Sequence, residues 1–215
     1  MIIHYQLFIT KYQSIEYKFL KQDYIFLNNC MPKEFKNFNI KSLIYKATTD
    51  GFGSRDFHRK VKGINNILII ITSENGNRFG GFTPLAFTGN GGHMEDDSLM
   101  TFIFSLDKRT KFKLKCREIQ DEEDYAIFDN IDYHVVFGGI YETRYVDSFT
   151  GDIQLSSYCN KNVESHSKLL NCFENKSLNL KYNTENSKSY LAGSYNFKVK
   201  EIEIYQICKH LVYLI

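Results

Sequence analysis

The chain has 215 residues, 43% hydrophobic and 24% charged, with a formal net charge of +2. That is globular composition, which excludes a disordered chain, and no uncharged apolar run of about 18 residues is present to span a bilayer. The positive charge is small and dispersed, so it forms no basic stripe for nucleic acid.

A chain of this length buries roughly 70% of its unfolded surface and needs neither metal nor disulfide to fold. The five cysteines, Cys30, Cys116, Cys159, Cys172 and Cys208, are odd in number and lack CxxC spacing. They read as reduced, mostly buried thiols of a cytosolic protein. Cys159, His166 and Cys172 lie near one another but lack the tightly spaced ligand pair of a zinc site. The N-terminal apolar residues Ile2, Ile3, Leu7, Phe8 and Ile9 follow no basic start and form no long apolar core, so they make no signal peptide.

Residues 1–38 are rich in Tyr, Phe and Lys, lack Gly, and end near Cys30-Met31-Pro32. They read as an N-terminal extension that adds a helix or strand to the edge of a domain spanning 39–215. Ile40, Leu43, Ile44 and Ala47 have helical spacing, with a stop at Thr48-Thr49-Asp50-Gly51. A second short helix starts at Ser54 as N-cap, carries Asp56 in its first turn and bases in its last, and closes at Gly63.

The period then changes to two. Ile64–Ile71 is apolar almost throughout and predicts a central strand covered on both faces. Glu74-Asn75-Gly76-Asn77 predicts a two-residue hairpin turn, returning through Arg78–Thr83 to Pro84. Thr88-Gly89-Asn90-Gly91-Gly92-His93 reads as a mobile surface loop first and a binding loop second. Phe102, Phe104 and Leu106 alternate with Thr101, Ile103 and Ser105.

Lys111-Phe112-Lys113-Leu114-Lys115-Cys116 sets lysines toward water and Phe, Leu and Cys toward a core. The Asp121–Asp124 acidic run reads as a solvated loop. Further strand-like runs are Tyr133–Phe137, Asp152–Leu155 and Phe197–Ile207. Strands in this meander imply a mainly β, α+β fold with a two-sheet antiparallel sandwich. In the last run Phe197 and Val199 fall on one face and Ile202 and Ile204 on the other. Either both faces are covered or a bulge falls near Lys200-Glu201. A regular strand would set Glu203 beside Phe197 and Tyr205, where a carboxylate needs a partner.

Taken together, these segments resemble the TLDc family. Leu43–Phe52 followed by Phe57-His58-Arg59-Lys60 is similar to its opening motif, and Phe79-Gly80-Gly81-Phe82-Thr83 to its next hairpin. Phe102–Leu106 resembles its central strand, Phe137-Gly138-Gly139 its later glycine pair, and Phe197–Tyr205 its closing strand, although Tyr205 stands where many members carry Trp. The likeness runs from about Lys41 to Ile207. It implies a β-sandwich with a few helices, of the oxidation-resistance type, associated with protection against oxidative stress and with binding the cytosolic sector of the vacuolar proton-pumping ATPase. It implies no established reaction and no cofactor. The motif residues it singles out are Asp50, Gly51, Phe52, Phe57, His58, Gly80, Gly81, Gly138, Gly139, Gly193 and Glu203.

Two functional readings follow. One is a monomeric, cytoplasmic protein-binding module recruited to organelle membranes through a protein partner. The other is a hydrolase or redox enzyme using Glu203 with His58 or a cysteine, which requires a pocket joining at least two of these groups. The bland reading of Glu201 and Glu203 is that Glu203 anchors the closing strand through an Arg or a backbone amide. For His58 it is a local hydrogen bond, for His93 and His134 a satisfied or exposed ring, and for the glycine pairs a bulge or tight packing. A third reading is oxidant scavenging by exposed cysteines.

Overall fold

A computed structural model describes residues 21–115, 125–141 and 149–209. Cys116 and the Asp121–Asp124 run lie outside the described residues.

One sheet has seven antiparallel strands. In spatial order they are β1 (Asn39–Lys46), β15 (Val199–Cys208), β2 (Ile67–Ser73), β3 (Arg78–Thr83), β5 (Phe102–Ser105), β6 (Thr110–Leu114) and β13 (Phe173–Glu174). A second sheet of six runs β14 (Asn196–Phe197), β12 (Ser165–Ser167), β11 (Ile153–Gln154), β8 (Val136–Phe137), β7 (Ile127–Asn130) and β4 (Asn90–Met94). A small ribbon pairs β9 (Ile140–Tyr141) with β10 (Phe149–Thr150). The helices are α1 (Lys21–Cys30), α2 (Ala47–Asp50), α3 (Ser54–Val61) and α4 (Glu185–Ser189).

The two sheets close on one core as a sandwich. Ile67, Ile69, Ile71, Phe79, Ile103 and Phe112 from the first meet Ile127, Phe137, Ile153 and Phe197 from the second. The first sheet is also apolar on its outer face, where Leu68, Ile70, Phe82, Phe102, Phe104 and Tyr205 form a second core. Over it lie Leu27 and Cys30 of α1 with Met31, Phe35 and Phe38. This double burial is why Ile67–Ile71 of β2 is an unbroken apolar run. Asp23 of α1, itself buried, ties the helix down through Arg78 and Arg109, each 2.7 Å away.

Five expectations from the sequence are corrected. Residues 40–46 are strand, not helix, and helix begins only at Ala47. β1 carries register shifts at Ile40/Ser42 and Leu43/Tyr45. Each inserts a residue that breaks the two-residue alternation, and the resulting spacing mimics a helical face. The β2–β3 turn is a three-residue loop rather than a two-residue one. Gly76 N donates to Ser73 O at 2.9 Å and Ser73 N to Asn77 O at 3.0 Å. Only Gly76 within it has positive φ (81°), the left-handed position that follows a type I turn.

The cap of α3 is Gly53, with Ser54 the first helical residue. The Thr88–His93 stretch runs into an edge strand, since Asn90–Met94 pairs with β7. The lysine face of β6 departs from expectation as well. Lys113 is exposed, but Lys111 lies half-buried under α1, donating to the Cys30 carbonyl with its ammonium 4.2 Å from the Phe102 ring centre. Burial pushes Lys111 down to about 8.

For β15 both sequence alternatives hold. A register shift between Val199 and Glu201 puts Val199, Ile202 and Ile204 on the inner core together, while Tyr205 and Ile207 join the outer one. Glu203 therefore shares the outer face with Tyr205, and Phe197 does not.

Candidate functional site

The opening motif folds into a buried relay at one end of the sandwich. Tyr45, the one buried residue of β1, donates its hydroxyl to the Gly51 carbonyl at 2.6 Å. Its oxygen lies 3.0 Å from His134 Nε2, and His134 Nδ1 lies 2.9 Å from the donating Val135 amide. With Nδ1 accepting, Nε2 carries the proton and donates to Tyr45, which assigns the tautomer from the bonding. Burial, helped by the nearby His58, pushes His134 down to about 3. Burial also raises Tyr45, so both stay neutral. The His134 ring stacks on Phe57 of α3, centroids 4.6 Å apart.

His58, next on α3, points Nε2 at the carbonyls of Asn130 (2.9 Å) and Tyr133 (3.0 Å). Its Nδ1 is 3.8 Å from Asp129 Oδ1. Asp129 in turn accepts from the Thr88 amide, the Thr88 hydroxyl and the Gly89 amide, so it roots the glycine-rich stretch leading into β4. Asp50 accepts from the Lys46 amide at 2.9 Å and pairs with Lys60 at 2.8 Å. Against the cost of its partial burial, Lys60 and that amide hold the Asp50 carboxyl below its usual range. Phe52 packs on the inner core and accepts the Tyr158 amide at 2.8 Å.

The glycine pairs are places of close approach. A Cβ on Gly80 would sit 1.9 Å from the Ile69 carbonyl oxygen, and one on Gly81 would sit 2.5 Å from the Phe137 ring. Gly81 is thus where the first sheet leaves room for Phe137 of the second. A Cβ on Gly138 would meet Asp152 Oδ2 at 2.6 Å, and Gly139 N donates to Cys172 Sγ at 3.3 Å. Asp152 is fully buried and accepts the Asn171 amide (3.0 Å) and the Cys172 amide (2.7 Å). Burial pushes it up to about 7, against those donors and the charge of Lys115. Gly193 follows Ala192, whose carbonyl accepts from Ser73 Oγ, Asn75 Nδ2 and Asn77 Nδ2.

The closing strand supplies a cleft of about 360 Å³ on the outer face of the seven-stranded sheet, beside α1. Ile70, Leu106 and Tyr205 give it an apolar floor, while Asp23 and Arg78 stand on one side and Lys46, Glu201 and Glu203 on another. Glu201 accepts from the Thr48 amide (3.1 Å) and hydroxyl (2.5 Å). Glu203 faces Lys46 Nζ at 3.7 Å. The bond to an Arg or a backbone amide expected for Glu203 is thus replaced by a looser lysine contact.

Glu203 and His58 are not brought together. Glu203 lies on the outer face with Ile70, its cross-strand neighbour, and Tyr205, whereas His58 packs with Phe57 and Phe87 of the inner core. Cys159 and Cys172 are buried in the inner core, and burial pushes Cys159 up to about 12 and Cys30 up to about 11. The Cys159 and Cys30 thiols are kept protonated, the reverse of an activated nucleophile. Among the described residues, no group of three or more His, Cys, Asp or Glu is arranged to hold a metal ion, and no helix is long and apolar enough to cross a membrane.

Sequence reasoning misses Asp23, Tyr45, Asp129 and Asp152 as organising groups. Tyr45 is marked only as a polar group in a largely apolar run, and nothing local marks Asp23, Asp129 or Asp152.

The outer-face cleft and the double-cored, two-sheet antiparallel architecture define a β-sandwich domain with helix α1 folded onto one sheet. The TLDc domain model matches residues 15–208. The chain belongs to the TLDc family, and the match reaches well N-terminal of Lys41. Among curated proteins, none matches the chain by sequence.

Proposed function

We propose that this chain is a non-enzymatic, oxidation-resistance-type TLDc module. It binds peripheral subunits of the vacuolar proton-pumping ATPase, acts as a cytoplasmic monomer brought to organelle membranes by that partner, and contributes to oxidative-stress resistance. Family membership supports a protein-binding role. The observation that carries the preference over catalysis is the separation of the polar motif groups. Glu203 and His58 lie on opposite faces of the seven-stranded sheet, and both histidine nitrogens face protein atoms rather than a cleft. Acid–base work needs two such groups within reach of one substrate. Immunoprecipitation of the full chain from lysate, with and without ATP, is expected to recover ATPase subunits above background. Recovery in neither condition overturns the partner assignment.

A further inference from the structure

The outer-face cleft has one carboxylate with open acceptor sites above an apolar floor, and we propose that it takes an arginine side chain presented by an extended segment of a partner protein. The inference rests on the protein-binding reading above and names the surface and the chemistry of the contact.

The other acidic groups in the cleft are already engaged. Asp23 is held by two arginines at 2.7 Å, and Glu201 by the amide and hydroxyl of Thr48 and the amide of Ile202. Glu203 differs. Among the described residues its one ion pair, to Lys46, spans 3.7 Å, beyond hydrogen-bond reach, and its side chain is 16% exposed.

The cations do not offer the mirror-image site. Arg78 spends Nη1 on Asp23 and Nε and Nη2 on Asp107. Lys46, 32% exposed, brings its Nζ no closer than 3.7 Å to Glu203, and Lys200 is exposed, so both cations remain open to water. Among the cleft's acidic groups, Glu203 is thus the one with no hydrogen-bond donor within reach among the described residues.

Ile70, Leu106 and Tyr205 beneath Glu203 suit the methylene stem of a long basic side chain. A volume of about 360 Å³ is near the lower end of the roughly 300–1,000 Å³ of small-ligand pockets, enough for one side chain and its peptide link. A planar guanidinium donates two parallel bonds to a carboxylate, which an ammonium cannot do.

The test is an amide-shift titration of the isotopically labelled full chain with Gly-Arg-Gly, with its citrulline counterpart, and with Gly-Glu-Gly. The arginine peptide is expected to move Thr72, Glu201, Glu203 and Tyr205 together. Citrulline, with the same shape but no charge, should bind about tenfold more weakly or worse, and Glu203→Gln should lose a similar factor for arginine. Equal shifts from citrulline, or no cleft shifts from the arginine peptide, overturn the proposal. So does a cleft that answers the acidic peptide, which would make Lys46 and Lys200 an anion site. Shifts that grow with protein concentration alone would seat a second copy there and also overturn it.

Lysate capture separates this inference from the ATPase assignment. If Glu203→Gln loses the peptide yet recovers ATPase subunits like wild type, the cleft is not the docking point and the assignment survives. If wild type binds the peptide in the cleft but recovers no subunits, the cleft stands and the assignment falls.

Discussion

His134 and Asp152 titrate in opposite senses. Burial takes the histidine from 6.5 to about 3, and the carboxyl from 3.8 to about 7. For His134 the unfolded chain gains its proton first, so its stability contribution is complete above about pH 6.5 and is lost as pH falls toward about 3. For Asp152 the folded chain holds the proton longer, so its contribution is complete below about pH 3.8 and is lost as pH rises through about 7. Each slope is about 1.4 kcal/mol per pH unit, and between pH 3.8 and 6.5 the two cancel.

Replacing His134→Gln leaves the Asp152 slope alone. Relative to wild type, the variant should gain roughly 3 kcal/mol of stability between pH 6.5 and pH 4.5. Asp152→Asn should lose a similar amount over the same interval. Urea unfolding at several pH values measures this. The comparison uses slopes, because each substitution also carries a pH-independent cost and the remaining carboxyls are common to all three proteins. If both variants keep the wild-type slope, the protonation states assigned to this pair are wrong.

Two further outcomes are expected. Gly81→Ala puts a methyl 2.5 Å from the Phe137 ring between the sheets and should destabilise by about 2 kcal/mol, read as a lowered thermal midpoint; an unchanged midpoint would mean that the sheets can part there freely. Asp23→Asn removes the charge tying α1 to Arg78 and Arg109, but those arginines are 29% and 36% exposed and rehydrate, so the loss should be about 1–2 kcal/mol rather than that of a sealed pair. Hydrogen exchange should quicken at amides 24–38 specifically, and uniform quickening across the domain would contradict a local tether.

The class of element is legible from residue order wherever local pattern and burial coincide. The unbroken apolar run ending at Ile71, the Phe112 and Leu114 alternation, and the dipole-matched helix from Ser54 are each legible, because one residue spacing serves one buried face. The ordered motifs bring the family with them. The tertiary structure alone decided where that correspondence breaks. Residues 40–46 are strand because β15, some 160 positions later in the chain, supplies their ladder, and two bulges scramble their period. Lys111 is half-buried only because α1 lies across it.

The candidate site divides in the same way. Glu203 is marked in sequence as a carboxylate on an apolar strand. Its position beside Lys46, over Tyr205 and away from His58, depends on the bulge at Val199/Glu201 and on which sheet face each residue shares. A shift of one residue moves a side chain through the sheet, and pairing across long sequence separations sets that shift.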